Sequence, residues 1–291
     1  MRTSIGRKGF IGANVAILSL LSFITAYPVL YVLFASLSNP ADFLSHQGVL
    51  LKPAGFSLAA YKLVFENRMI MSGYLNTIIV VVAGVTTNII MTSLGAYFLS
   101  RKGVLWRNPI MMMIVFTMFF GGGLVPYYLT VTGIGLQNTL LALIIPTAVS
   151  TFNLILMRTS FMGIPDEITE SATMDGASHL TVLFKIVLPL SMPVVAVMVL
   201  YYGVGHWNAW FNAMLFIRDR SLYPLQLVLR EILVVNNVDA MLAGTDSFDK
   251  GLVSETLKYS VIIVATVPIL ALYPFLQKYF VKGMMIGALK G

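Results

Sequence analysis

The sequence predicts an all-α integral membrane protein with six transmembrane helices, and three observations carry that prediction. Of its 291 residues 58% are hydrophobic and only 11% are charged, whereas a soluble domain carries roughly 25% charged residues. The apolar residues fall in uncharged runs of about the 20 residues that cross a bilayer. The basic residues flank those runs, so the net charge of +7 sets orientation against a membrane and does not mark nucleic-acid binding. With 0 cysteines, disulfides, thiolate chemistry and cysteine metal sites are excluded.

In chain order, a basic head with Arg2, Arg7 and Lys8 precedes an uncharged stretch, Phe10 to Ser38. That stretch exceeds the roughly 7–15 apolar residues of a signal-peptide core and reads as an uncleaved first span, closing a segment 1–38. Residues 39–73 form an extracytoplasmic loop broken by Pro40, Pro53 and Gly55, with one short helix near Leu58 to Phe65. A core over 74–281 carries five more spans. Tyr74 to Leu99 is the second, closed by Arg101, Lys102 and Arg107. Pro109 to Val131 is the third, expected to bend or break at Gly121-Gly122-Gly123 and Pro126. Leu140 to Met157 is the fourth, Ile186 to about Gly205 the fifth, and Tyr259 to Gln277 the sixth. The segment from Trp207 to Leu257 holds ten charged residues of both signs and is too polar to span. A tail, 282–291, follows.

Three basic residues lie between Ser100 and Asn108 and none between Thr132 and Asn138, which makes the former loop cytoplasmic. Both chain ends then lie inside. No span as drawn contains Asp, Glu, Lys, Arg or His, so the relay of ionisable groups usual in proton-coupled transporters is missing. No phosphate loop, no His-Glu-x-x-His metal motif and no Gly-x-Ser-x-Gly elbow occurs, so no cofactor, metal site or catalytic residue is expected. An intramembrane enzyme is disfavoured for the same reason. Uphill movement of a solute would need energy from a partner.

One polar helix stands apart from the spans, in a loop over 159–185. Pro165 suits a first helical position, and Asp166 and Glu167 face the positive end of the helix dipole. Gly176 can adopt the left-handed conformation that ends a helix, and Ser178 can cap the next one. Read as a motif, Glu170-Ser171-Ala172-x-x-Asp175-Gly176-Ala177, followed by Ile186-x-Leu188-Pro189 and Pro193, resembles the "EAA loop" of ATP-binding-cassette (ABC) importer permeases. Ser171 stands where that family usually has Ala. Tyr61, Asn76-Thr77 and Trp207-Asn208 are similar to further family patterns. The ending Gly287-Ala288-Leu289-Lys290-Gly291 resembles the tail of the maltose-type second permease. Ser221-Leu222-Tyr223-Pro224-Leu225 looks closest to a subgroup handling complex oligosaccharides or polysaccharide fragments.

The resemblance implies a type I ABC importer permease in a bacterial plasma membrane. It implies a second permease subunit, cytoplasmic ATP-binding subunits, an extracytoplasmic solute-binding protein and a carbohydrate substrate. It assigns ATPase coupling to Glu170, Ser171, Ala172, Asp175, Gly176, Ala177, Ile186, Leu188 and Pro189, and an ATPase-contacting tail to Gly287, Ala288 and Lys290. Candidates for the substrate path are Asn153, Tyr202, Trp207 and Asn208. The aromatic residues equally fit a girdle at the membrane surface, and Asn153 equally fits a bond to a neighbouring helix. Two alternatives stand beside the importer: a self-contained channel or facilitator, and an ABC permease for a non-sugar solute.

Overall fold

The computed structural model describes residues 5–234, 255–271 and 274. Among them the chain is helical, with no strand beyond one isolated bridge between Ser38 and Phe56. In order come α1 (Ile5–Ser36), α2 (Pro40–Ser45), α3 (Ala59–Glu66), α4 (Arg68–Ser100), α5 (Arg107–Phe119), α6 (Leu124–Gly133) and α7 (Leu141–Ile144). Then follow α8 (Thr151–Met162), α9 (Asp166–Met174), α10 (His179–Val182), a π-turn (Leu183–Val187), α11 (Leu188–Leu190), α12 (Met192–Trp207), α13 (Phe211–Phe216) and α14 (Leu225–Leu233). A last helix, α15, covers residues 255–271.

Two helices among the described residues are long and apolar enough to cross a membrane unaided, Gly9–Ser36 within α1 and α4. Three further candidates are bent pairs rather than the continuous spans expected from hydropathy. The α5–α6 pair turns by 116° at the triple glycine, where Gly123 takes a φ of +85°. The fourth span is broken by 53°, because Pro146 lacks a donor and Ser150 is extended, its side chain capping the Asn153 N–H. The fifth differs most. Residues His179–Leu190 and Met192–Trp207 meet at 89°, at Ser191 between Pro189 and Pro193. Two prolines withdraw two helix donors, and the π-turn ahead of them marks the strained ladder. Ile186, Leu188 and Pro189 therefore belong to an elbow that precedes the span. The end of the sixth expected span lies outside the described residues.

The chain divides into two compact units, residues 1–68 with 231–267 and residues 69–230 with 268–291. In the first, the Ser36 hydroxyl meets the Tyr61 hydroxyl at 2.7 Å, and the rings of Tyr31, Phe43 and Tyr259 form an edge-to-face cluster. The short helix expected near Leu58 is α3. The unforeseen α2 starts on a standard signal, Asn39 accepting the Ala41 N–H with Pro40 at the first position.

The second unit holds the site. Its core joins Ala96, Tyr97 and Leu99 of α4, Leu154, Met157 and Phe161 of α8, Val182, Leu183 and Val187 around the π-turn, and Met198 and Tyr202 of α12. On one side of it sits the 165–178 loop.

Candidate functional site

The polar helix α9 is built by local signals at both ends. Pro165 (φ −55°, ψ 134°) is the N-cap, one residue earlier than a first helical position, and Asp166 and Glu167 fill the first turn. At the far end Gly176 takes a φ of +83°. The Ala177 N–H reaches the Ala172 carbonyl and the Gly176 N–H reaches that of Thr173, both at 3.0 Å. This is the paired bonding of a Schellman cap. Ser178 then accepts the Thr181 N–H and opens α10.

This geometry gives α9 two faces. Thr169 is buried, and Ala172 and Ala177 pack on the core of the second unit. Glu170, Ser171, Asp175 and Gly176 are exposed, and Met174 is 89% exposed. Of the residues assigned to coupling in and just after α9, then, Ala172 and Ala177 turn inward, while Glu170, Ser171 and Asp175 point outward, with Met174 exposed beside them.

The inward face rests on the end of α4 and the loop after it. Lys102 Nζ lies 2.6 Å from Asp166 Oδ2. That hydrogen-bonded pairing holds the Asp166 carboxyl below its usual range and raises the Lys102 ammonium above its own. Arg101 donates from Nη1 to Thr169 Oγ1 at 2.9 Å, and its guanidinium lies 4.6 Å from the centre of the Tyr97 ring. Thr169 in turn donates to the Asp166 carbonyl. Two more arginines serve carbonyls at the end of α4 that the helix leaves free: Arg158 Nε donates to Leu99 O and Arg107 Nη1 to Arg101 O. Between α9 and the end of α4 remains an open groove of about 560 Å³, lined by residues that include Tyr97, Arg101, Lys102, Glu170 and His179.

The path candidates do not converge. Tyr202 is buried in polar contacts, its hydroxyl 2.7 Å from Thr92 Oγ1 and accepting the Ser150 N–H at 3.1 Å. Asn153 is buried. Trp207 is buried with its ring against Tyr74, and its Nε1 has no hydrogen-bond partner among the described residues. Asn208 is exposed and its side chain bonds back to Val204 O. The tail residues Gly287, Ala288 and Lys290 lie outside the described residues.

Two features corrected or escaped the sequence reading. Because α12 runs on to Trp207, His206 lies inside it, buried at 7% exposure, so the helix of the expected fifth span does carry an ionisable residue. Its Nε2 is 2.7 Å from Asn88 Oδ1. Asn88 Nδ2 donates to Thr147 O at 2.6 Å, so its oxygen faces the ring and Nε2 carries the proton. The family pattern Asn76-Thr77 also gains a physical reason. Asn76 Nδ2 donates to Ser221 O and Tyr223 O, and Thr77 Oγ1 accepts the Leu225 N–H at 2.8 Å. Together they fasten the 221–225 segment to α4.

Comparison with known proteins agrees with this architecture. A polygalacturonan/rhamnogalacturonan transport system permease protein of Bacillus subtilis is 39% identical over 276 residues, covering 94% of this chain and 96% of that one. The protein LplC of the same organism is 39% identical over 279 residues, covering 96% and 94%. A solved chain of a bacterial ABC transporter involved in the import of the acidic polysaccharide alginate superposes with a TM-score of 0.89. It is 32% identical and covers 96% of this chain and 99% of its own. Residues 103–286 match the inner membrane component of binding-protein-dependent transport systems. A chain matched over that range, with relatives matched along almost their whole length, belongs to this family: it is an ABC importer permease of the inner-membrane, binding-protein-dependent class.

Proposed function

We propose that the chain is one of two permease subunits of an ATP-driven oligosaccharide importer, and that α9 is the element through which a cytoplasmic ATPase dimer drives it. The observation that carries the coupling role is the two-faced build of α9. A helix whose inner face is keyed to the ends of the spans, while Glu170, Met174 and Asp175 stand exposed, is suited to receive force from outside the chain. In this reading Glu170, Ser171 and Asp175 touch the ATPase and Gly176 shapes the turn. Ala172 and Ala177 hold the helix, and the elbow residues Ile186, Leu188 and Pro189 pass its motion to α12. The tail with Gly287, Ala288 and Lys290 is the second contact.

The substrate class rests on the relatives, whose names specify polygalacturonan, rhamnogalacturonan and alginate. All three are uronate-containing polysaccharides, so uronate oligosaccharides are the first solutes to test. Six spans with both ends inside, an extracytoplasmic loop at 39–73, a permease core at 74–281 and a tail at 282–291 complete the arrangement. A binding protein delivers the solute from outside.

The test is Glu170→Lys in the reconstituted complex. Reversing a charge that faces a partner typically costs several kcal/mol when the pair is desolvated, so the ATPase subunits should dissociate while the chain still inserts. A compensating acidic substitution on the ATPase should restore them. Oligogalacturonide uptake at the wild-type rate without any ATPase would leave the facilitator reading standing instead. Orientation is read separately: a single cysteine at Asn108 should label from the cytoplasm and one at Ile134 from outside, in a chain with 0 cysteines of its own.

A further inference from the structure

We infer that Arg101 and Thr169 form the joint that makes α9 and α4 move as one body, so that Arg101 is a positioning residue for coupling. The inference rests on the coupling role of α9 proposed above and adds the site at which the helix is gripped. Four observations carry it. Arg101 is the first residue beyond α4, and its guanidinium is held over the ring of Tyr97, one turn back on that helix. From there it reaches across 68 residues of sequence to Thr169, the one buried residue of α9, 6% exposed. Its backbone carbonyl is fixed in turn by Arg107, while Arg158 fixes Leu99. Its Nε is buried with no hydrogen-bond partner among the described residues. An orphaned buried donor calls for an explanation, and the Tyr97 ring and the Thr169 hydroxyl, which fix the pose of the guanidinium, supply one.

The alternatives at this joint are weaker grips. The Lys102–Asp166 pair is solvent-exposed, with 84% and 44% of the two side chains accessible, and exposed pairs are screened and easily parted. The packing of Ala172 and Ala177 resists approach but offers little resistance to sliding, because small apolar contacts are not directional. The Arg101–Thr169 hydrogen bond is directional, and the planar guanidinium on the Tyr97 face fixes its origin. Under load from a closing ATPase it is the contact that keeps α9 in register with the span.

The experiment measures that register directly. Spin labels on Phe98→Cys in α4 and Ile168→Cys in α9, both exposed, report one distance in the assembled transporter, with partner cysteines replaced. The complex is compared nucleotide-free and trapped with ATP and vanadate. In the otherwise wild-type chain the distance distribution should stay narrow in both states. Arg101→Met and Thr169→Val should leave it narrow without nucleotide and at least double its width in the trapped state. Thr169→Ser, which keeps the hydroxyl, should behave as wild type. Unchanged widths in both variants overturn the inference. So does broadening already present without nucleotide, which would make the contact a mere part of the fold, and so does loss of the ATPase from both variants. Retention of the ATPase and wild-type transport in Glu170→Lys would instead refute the coupling role of α9, whatever the widths in the Arg101 and Thr169 variants, which separates the two claims.

Discussion

Gly84→Ala isolates the buried polar contact between α4 and α12. A Cβ at Gly84 would stand 2.5 Å from His206 Nε2 and 2.8 Å from Cε1, where ordinary contact begins near 3.4 Å. The ring must therefore retreat by about 0.9 Å, or the two helices must part. Retreat stretches the 2.7 Å bond to Asn88 beyond hydrogen-bonding range, and Asn88 cannot follow because it is tied to Thr147. Overpacking of this kind costs about 1–3 kcal/mol, and a hydrogen bond between membrane helices contributes roughly 0.6 kcal/mol and at most about 1.7. Removing a helical glycine returns up to about 1 kcal/mol. The net expected loss is about 1–3 kcal/mol, read as a shift in equilibrium unfolding with increasing dodecyl sulfate in mixed micelles. In a His206→Ala background the ring is gone, and Gly84→Ala should become neutral or stabilising. An equal loss in both backgrounds would refute the assignment of the steric contact to His206.

Three further outcomes follow from other contacts. Asn76→Ala removes the side-chain donor to the carbonyls of Ser221 and Tyr223, a loss of about 0.5–1.5 kcal/mol for each hydrogen bond. Hydrogen exchange should rise across residues 221–225 while the 165–178 loop stays protected as before. Gly176→Val forces a β-branched residue to a φ of +83° where its Cβ meets nothing within 4 Å, so the defect is backbone strain of about 1 kcal/mol or more. Gly176→Asn should be milder, and the ranking is read from how much ATPase co-purifies. Asp166 has its carboxyl lowered by the Lys102 hydrogen bond, so its contribution is complete above about pH 4 and disappears as the pH falls through the depressed folded value. Lys102→Met should return the Asp166 titration, followed by carboxyl-carbon NMR, toward the ordinary range.

Local signals made α9 readable and distance hid its seat. Pro165, Asp166, Gly176 and Ser178 act within a few residues of one another, so the start, the end and the next cap of the helix are written in one stretch, with a one-residue shift at Pro165. Arg101 reads in sequence only as a loop charge, because Thr169 is far along the chain and the pairing exists only once α9 folds back. The triple glycine announced a break, since no other residues so free the backbone. Pro189 and Pro193 were equally visible, yet uniform hydropathy across them concealed an 89° elbow. His206 fell outside the fifth span because a polar residue ends a hydropathy run. Its burial depends on Gly84 leaving room and Asn88 accepting its proton, neither of which any local pattern expresses.

The placement of these contacts makes α4 the axis of the second unit. At one end Asn76 and Thr77 hold the 221–225 segment, in the middle Asn88 and Thr92 meet His206 and Tyr202, and beyond the other end Arg101 holds Thr169. Asn88 and Thr92, like Tyr202 and His206, are spaced four apart, so each pair lies on one helix face and the two form a ladder. Each rung also satisfies a backbone group at the broken fourth span, Thr147 O and Ser150 N, which in a bilayer has no water to turn to. From Asn76 to Ser100 α4 is one unbroken helix, and at 1.5 Å per residue the distance from Asn76 to Arg101 is about 37 Å. An uninterrupted helix bonded at both ends transmits a displacement without needing a chain of small side-chain shifts. On the coupling role proposed for α9, a push on that helix has a direct mechanical route along α4 to the 221–225 segment.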